Sequence, residues 1–109
     1  MIYRGYRHSK GLGHQLVTKD NDFLDPTPSQ KIWNHSPDGF NWGYLGSGPA
    51  QLALALLYDV TKDEVVAVRL HQEFKRSFVA AWGDTWEITD AHIREWVSST
   101  LKEAQFKKI

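Results

Sequence analysis

The feature that most constrains the fold is a stretch of residues that would be apolar on every side of a helix. Residues 52–58 contain only leucine, alanine and tyrosine, and Gly48, Pro49 and Gln51 lie just before them. A helix without a polar face is buried on most of its surface. We therefore predict a central core helix with Gly48 as its N-cap, Pro49 as its first residue and Ser47 as the competing cap.

Extended segments precede this helix. Alternation of bulky and polar residues over residues 2–8 predicts a strand, residues 10–13 a turn, and residues 14–19 a second strand of the same hairpin. Residues 25–29 contain two prolines, which disfavour helix in the preceding residues, so they are predicted to form a loop. Residues 32–34 are predicted to form a third short strand.

Helices follow the central helix. Thr61 and Glu64 have the spacing of a capping box, which predicts a second helix with an apolar stripe. Residues 86–88 predict a brief strand, and Thr89 or Asp90 is expected to cap a last helix.

This order of elements predicts an α+β fold, in which a small antiparallel sheet of two to four strands on the N-terminal side is packed by about three C-terminal helices. The 109 residues are expected to form a single domain, residues 1–109. Cysteine is absent from the sequence, which excludes disulfides, thiol catalysis and cysteine-based zinc sites. Because no apolar run approaches the roughly 20 residues that a bilayer needs, we expect a cytoplasmic protein without a membrane partner.

The charge balance bears on the class of partner. Lysine and arginine together number 13, as do aspartate and glutamate. A duplex-DNA binder usually has a basic excess, so duplex DNA is not the expected partner. Residues 32–61 contain no lysine or arginine. A counter-charge for an anion bound in that region would come from elsewhere. The candidates are the N-terminal Arg4 and Arg7, or Arg69, Lys75 and Arg76.

A glycine-rich and aromatic run leads into the central helix. Residues 39–48 contain four glycines and three aromatics. Gly46, Ser47, Gly48 and the first N–H groups of the helix could cradle an anion, since helix starts carry unpaired donors. In the alternative interpretation, the glycines only allow the loop to pack closely and Ser47 only caps the helix.

Polar and aromatic neighbours complete the candidate ligand site. Trp42 and Tyr44 could stack on a base or another planar ligand, or they could cover the core helix. Gln51 could reach a ligand in the loop, or it could close a capping box. Asn34 and His35 are the remaining candidates at the beginning of the segment.

A catalytic pair is the weakest candidate in the same segment. His35 could act as a base oriented by Asp38, or the two could tie the loop together through hydrogen bonds. No pair of histidines has the His-x-x-x-His spacing of a helical metal site, so neither a metal site nor a cofactor is predicted.

Residues 35–57 resemble the hallmark of a small uncharacterised domain family that is associated with phages, prophages and mobile elements. The likeness extends to residues 3–5, 70–75 and 86–89. Leu45 departs from the pattern, in which a glycine is usual, and this implies a stiffer loop. The resemblance implies no established activity.

Together these observations predict a small non-enzymatic protein that holds a compact, planar and anionic ligand, such as a nucleotide, in the segment from Asn34 to Gln51. Sequestering a host defence signal is the most specific form of this hypothesis. One alternative is a protein-interaction module that inhibits a host enzyme, and another is a hydrolase that uses His35 and Asp38. The sequence leaves open whether the protein forms a homodimer.

Overall fold

The structure is a computed structural model that describes residues 1–8 and 15–107, with side chains up to residue 104. Within these residues four strands form one antiparallel sheet in the order β3-β2-β1-β4. The predicted turn at residues 10–13 and His14 lie outside the described residues. The strands are β1 (Ile2–Tyr6), β2 (Val17–Lys19), β3 (Asp22–Phe23) and β4 (Thr85–Thr89).

The helices lie on one face of this sheet. The strand β4 enters the sheet late in the sequence and pairs with β1, so the chain returns to the sheet before its last helix. The predicted α+β class is confirmed. The helices are α1 (Thr27–Ile32), α2 (Ser47–Thr61), α3 (Glu64–Ser77), a 3-10 turn (Val79–Ala81) and α4 (Asp90–Lys107).

The strand period decides which side chains face the helices. Tyr3 and Gly5 are buried, whereas Arg4 and Tyr6 are exposed on the outer face of the sheet. Alternate residues of a strand point to opposite faces, so Tyr3 and Gly5 lie on the helix side. In the register between β1 and β4, Gly5 pairs with Trp86.

The centre of the core is α2, as its composition predicts. Eleven of its residues are buried, and Leu52, Leu54, Leu56 and Leu57 are fully buried. The amphipathic helix α3 packs along α2 through Ala67, Leu70 and Phe74. The helix α2 is therefore buried on most sides, as expected for a helix without a polar face.

Two predictions for the segment before α2 are wrong. Residues 25–29 are not all loop and residues 32–34 are not a strand, because α1 covers Thr27–Ile32. Pro28 lies in the first turn of α1, where a missing N–H removes no intrahelical hydrogen bond. The Asp25 carboxylate accepts a hydrogen bond from the Thr27 N–H at 2.9 Å, which stabilises this helix start.

The helix starts also differ from the predicted ones. The N-cap of α2 is Gly46, so Pro49 is the third helical residue and no side chain caps this end. The N-cap of α3 is Asp63, whose carboxylate accepts from the Val66 N–H at 3.1 Å. Thr61 belongs to α2 and donates its hydroxyl to the Leu57 carbonyl at 2.7 Å.

The start of α4 agrees with its prediction. The Thr89 hydroxyl accepts from the His92 N–H at 3.1 Å, which is the bond of a capping threonine. Ile93 and Val97 are then buried at helical spacing against the core.

Candidate functional site

The glycine-rich run forms the loop that joins α1 to α2. Gly43 adopts φ +86°, a conformation that favours glycine, and a Cβ there would lie 2.9 Å from the Trp82 carbonyl oxygen. Its N–H donates to the Val79 carbonyl oxygen at 3.0 Å. The middle of the loop is therefore fixed against the end of the helical layer.

Two aromatic rings of this loop point into the core. Phe40 and Trp42 are almost fully buried, and the Trp42 indole N–H donates to the Gly83 carbonyl oxygen at 2.7 Å. The Arg7 guanidinium lies 5.0 Å from the centroid of the Trp42 ring and donates to the Trp42 carbonyl oxygen at 2.9 Å. Trp42 has no exposed ring face in this arrangement, and the geometry therefore does not support stacking of a ligand on this ring. That role stays a prediction.

A small open hollow lies where the loop meets the start of α2. Its volume is about 220 Å³. Tyr44 covers one side, 48% exposed, and its ring lies so close to Gly46 that a Cβ there would be 2.5 Å from a ring carbon. Its walls are mostly polar and include Ser36, Asp38, Asn41, Tyr44, Ser47 and Gly48.

The hollow offers both hydrogen-bond donors and an acceptor. Ser47 and Gly48 are the first two residues of α2, and N–H groups at that position have no intrahelical acceptor. Asp38 is exposed and contributes a carboxylate. Among the described residues that line the hollow there is no lysine or arginine. This arrangement suits a polar group that accepts at one edge and donates at the other.

The predicted cations do not line this hollow. The Arg4 side chain lies on the outer face of the sheet, where its Nε is 3.1 Å from a Glu87 carboxylate oxygen. Arg69 is exposed on α3. Arg7, another of the predicted cations, reaches the loop, where its guanidinium donates to the Asn41 side-chain oxygen at 2.9 Å.

Gln51 is fully buried and uses its amide within the molecule. Its Oε1 accepts from the His35 and Ser36 N–H groups at 2.8 and 3.0 Å. Its Nε2 donates to the Ser29 hydroxyl at 2.9 Å and to the Trp33 carbonyl at 3.2 Å. Gln51 thus holds α1 and the following residues on α2, and exposed Asn34 is not in the hollow.

His35 is paired with a second histidine. Its Nε2 lies 2.9 Å from Nε2 of His71, and Nδ1 of His71 lies 2.6 Å from the Val68 carbonyl oxygen. A carbonyl only accepts, so His71 carries its proton on Nδ1 and accepts from His35 at Nε2. Burial lowers the pKa of His71, and burial, His71 and Lys75 lower the pKa of His35. Asp38 makes no contact with His35 among the described hydrogen bonds and ion pairs, so their catalytic pairing gains nothing from this geometry.

A larger cleft that the sequence analysis did not predict lies between β2, β3, α1 and α2. Its volume is about 450 Å³. At one end Asp59 of α2 accepts from the Tyr3 hydroxyl at 2.5 Å, and Nζ of Lys19 and of Lys62 lie 3.0 and 3.3 Å from its carboxylate oxygens. A usable signal was that Asp59 is the single charged residue of residues 47–61, on an otherwise buried helix.

The pKa values of Tyr3 and Asp59 are both shifted from their ordinary values. Burial, followed by the hydrogen bond to Asp59, raises the pKa of the Tyr3 hydroxyl well above its ordinary value. Burial opposes ionisation of Asp59, but the hydrogen bonds from Tyr3 and Lys19 and the charge of Lys62 outweigh it and lower the pKa of the carboxyl. The pair is therefore a tyrosine that donates to a permanently ionised carboxylate at neutral pH.

Neither a metal cluster nor a membrane-spanning helix occurs in the part of the chain that the structure describes. Among residues 1–8 and 15–107, no group of three or more histidine, aspartate or glutamate side chains is placed to hold a metal ion. In that same part of the chain, no helix has the length and apolar content needed to cross a membrane.

Comparison with known proteins relates the chain to a family. The model of a family of unknown function, DUF6166, matches residues 3–99. No curated protein and no solved structure matches the chain. The match covers the sheet, the hollow, the cleft and most of α4.

Proposed function

The chain belongs to this family of unknown function, and we propose that it is a small non-enzymatic binding protein whose ligand places one planar, polar ring in the hollow before α2. The observation that carries the proposal is the convergence of three groups around that hollow. They are the half-exposed Tyr44 ring, the Asp38 carboxylate and the uncapped start of α2 at Ser47.

The size of the hollow limits the part of the ligand that enters it. Sites for drug-sized ligands have volumes of roughly 300–1,000 Å³. A hollow of about 220 Å³ is smaller and suits a single ring system rather than a whole nucleotide. We infer that a nucleobase is the part held inside, while a sugar and phosphates extend into solvent.

The chemistry of the walls fits a base edge. A ring N–H or exocyclic amine would donate to Asp38, and a ring carbonyl or nitrogen would accept from the main chain at Ser47 and Gly48. The ring face would stack on Tyr44, an interaction worth roughly 1–3 kcal/mol per base. The described residues of the lining include no lysine or arginine, which favours the base over the phosphate as the recognised part.

The biological setting of this proposal comes from the resemblance of residues 35–57 to domains of phages and mobile elements. A protein of this size that binds a nucleotide without turning it over could sequester a defence signal in the cytoplasm of a host cell. Retention of a nucleotide without its conversion is the behaviour that this version of the proposal requires.

A nucleoside panel tests the proposal. We expect one nucleoside to shift the amide resonances of Tyr44, Ser47 and Gly48, and to bind at least tenfold more weakly to Asp38→Asn and Tyr44→Ala. Tyr6→Ala removes an aromatic ring that is 70% exposed on the sheet, far from the loop in sequence, and should bind as the unsubstituted protein does. If no nucleoside produces a shift at millimolar concentration, the proposal is wrong.

A second candidate function is a protein-interaction module. Three large side chains near the α1–α2 connection are exposed, namely Trp33 (49%), Tyr44 (48%) and Leu45 (67%). Exposed aromatics are frequent anchors of interfaces. A partner that is recovered with the protein, is lost on Leu45→Asp and is indifferent to nucleosides would favour this function. In the hydrolase alternative His35 would act as a base, and this geometry does not support that role because the His35 Nε2 is directed to His71.

A further inference from the structure

The cleft between β2, β3, α1 and α2 has a volume of about 450 Å³. Its volume lies within the range of roughly 300–1,000 Å³ that small-molecule sites occupy. It shares no lining residue with the hollow before α2. The two can therefore be tested independently.

Apolar and aromatic groups form part of the cleft wall. Phe23 of β3 is 69% exposed and lines the opening. Leu24 and Ala55 add aliphatic surface, and Tyr58 of α2 contributes a second ring. An exposed phenyl ring at the mouth of a cleft gives an apolar body a surface to pack on, and its face attracts cations.

The charges of the cleft separate into a paired and an unpaired set. Lys19 and Lys62 both contact the Asp59 carboxylate, so both ammonium groups are already matched within the wall. Asp20, Asp22 and Asp25 also line the cleft, and none of them forms an ion pair within the described residues.

The net charge of the cleft follows from the charged residues that line it. The lining carries two lysines and four aspartates, which gives a net charge of −2 at neutral pH. The Asp20 and Asp25 carboxylates each accept a main-chain hydrogen bond, from the N–H groups of Ile2 and Thr27. A cleft lined by one sign of charge concentrates counter-ions of the opposite sign.

We propose that this cleft binds an organic cation, a guanidinium or ammonium group on a short aliphatic body, with the charge between Asp22 and Asp25 and the body against Phe23. The cavity and its exposed ring identify the site, and the unpaired carboxylates decide which ligand fits. A free anion is disfavoured because its two candidate partners, Lys19 and Lys62, are held by Asp59.

Two sources share this chemistry. One is a free alkylguanidine or amine, and the other is an arginine or lysine side chain of a peptide. Butylguanidinium is the probe for the first source and acetyl-Gly-Arg-Gly-amide is the probe for the second. Butylurea and the citrulline peptide are their neutral isosteres, and each differs from its partner chiefly by one charge.

The experiment is an NMR titration of the full chain with these four probes. We expect at least one charged probe to shift the amide resonances of Asp22, Phe23 and Asp25, and to bind at least tenfold more tightly than its neutral isostere. Tighter binding of the peptide assigns the source as a protein chain, and tighter binding of butylguanidinium assigns it as a free compound. Equal binding of charged and neutral probes, or no shifts at all, overturns the proposal.

Charge-matched variants separate a local site from general attraction. Asp22→Asn with Asp25→Asn removes two charges from the cleft, and Glu73→Gln with Glu95→Gln removes two exposed charges from α3 and α4. We expect the first pair to weaken binding at least tenfold and the second pair to change it less than twofold. Equal losses in both pairs would overturn the proposal, and Phe23→Ala should weaken binding while the fold is retained.

Discussion

The hydroxyl of Tyr3 lies 2.5 Å from Oδ2 of Asp59, and this bond joins the central strand β1 to the last turns of the core helix α2. Tyr3 is fully buried, so its hydroxyl needs a partner within the molecule. Asp59 is held from the other side by Lys19 and Lys62. The sheet, the core helix and one wall of the cleft are thereby linked through a single carboxylate.

Replacing Tyr3 with phenylalanine tests this link. The variant keeps the ring but removes a hydrogen bond to a charged acceptor, so we expect a loss of roughly 1.5–3 kcal/mol in the free energy of unfolding. Urea denaturation measures it. Tyr6→Phe is the control, because Tyr6 is exposed on the other face of β1 and should change stability by less than about 0.5 kcal/mol. Equal losses in both variants would contradict the assigned role of the bond.

The indole ring of Trp86 packs directly on the backbone of Gly5, so a larger residue at this position should destabilise the fold. A Cβ at this position would lie 2.1 Å from the Trp86 indole nitrogen, whereas a Cβ at Gly83 would meet no atom within 4 Å. We expect Gly5→Ala to lower the free energy of unfolding by roughly 1–3 kcal/mol through overpacking. Gly83→Ala should be neutral or slightly stabilising. Thermal unfolding of both variants measures the difference, and similar melting temperatures would refute the packing argument.

The core and the element types could be predicted from the sequence because their signals are local. The apolar residues 52–58 fix α2 as the buried helix, and Thr89 marks the start of α4. The helix α1 could not be predicted because two prolines in residues 25–29 favour a loop in general. Here Pro28 falls in the first helical turn, and Gln51 of a different helix stabilises the segment.

The hollow before α2 could be predicted from the sequence, whereas the cleft could not. Tyr44, Ser47 and Gly48 are brought together at the hollow because they are neighbours in sequence, with Asp38 close by. At one end of the cleft Asp59 contacts Tyr3 and Lys19, which lie 56 and 40 residues away in the sequence. The spacing of residues in the sequence cannot predict such a contact, since the contact depends on how the sheet packs on α2. Gln51 shows the same limit, because only the fold reveals that its amide is used internally.

The role of Gln51 leads to a further prediction. Gln51→Leu keeps the approximate shape but leaves the His35 and Ser36 N–H groups without their acceptor. Each unsatisfied polar group costs roughly 1–3 kcal/mol, so we expect a total loss of about 2–6 kcal/mol from the two N–H groups. Urea denaturation measures this loss, and hydrogen exchange should show faster exchange at both amides. Gln72→Leu on α3 is the control and should cost less than about 1 kcal/mol, since its side chain makes one long contact to His71. A loss in Gln51→Leu no larger than the control would refute the role of Gln51.

The histidine pair predicts how stability depends on pH. Burial, the largest cause, lowers the folded-state pKa of both His35 and His71 below 6.5. Between those lowered values and 6.5 the unfolded chain binds more protons than the folded protein, so the free energy of unfolding falls as the pH falls through this window. The stability that the neutral pair contributes is fully present above 6.5. Urea denaturation from pH 7.5 to 5 measures this slope.

A matched substitution assigns that slope to the buried pair. In His71→Gln the pair loses one titrating member, and we expect a clearly smaller decrease in stability between pH 7 and 5. His92 is exposed on α4 and is not a member of the buried pair, so His92→Gln should keep the full decrease. The reason for the slope is that His71 donates to Val68 and accepts from His35, so a second proton on its ring would face the donor of His35. Equal slopes in the two variants would show that the pair does not control the response to acid.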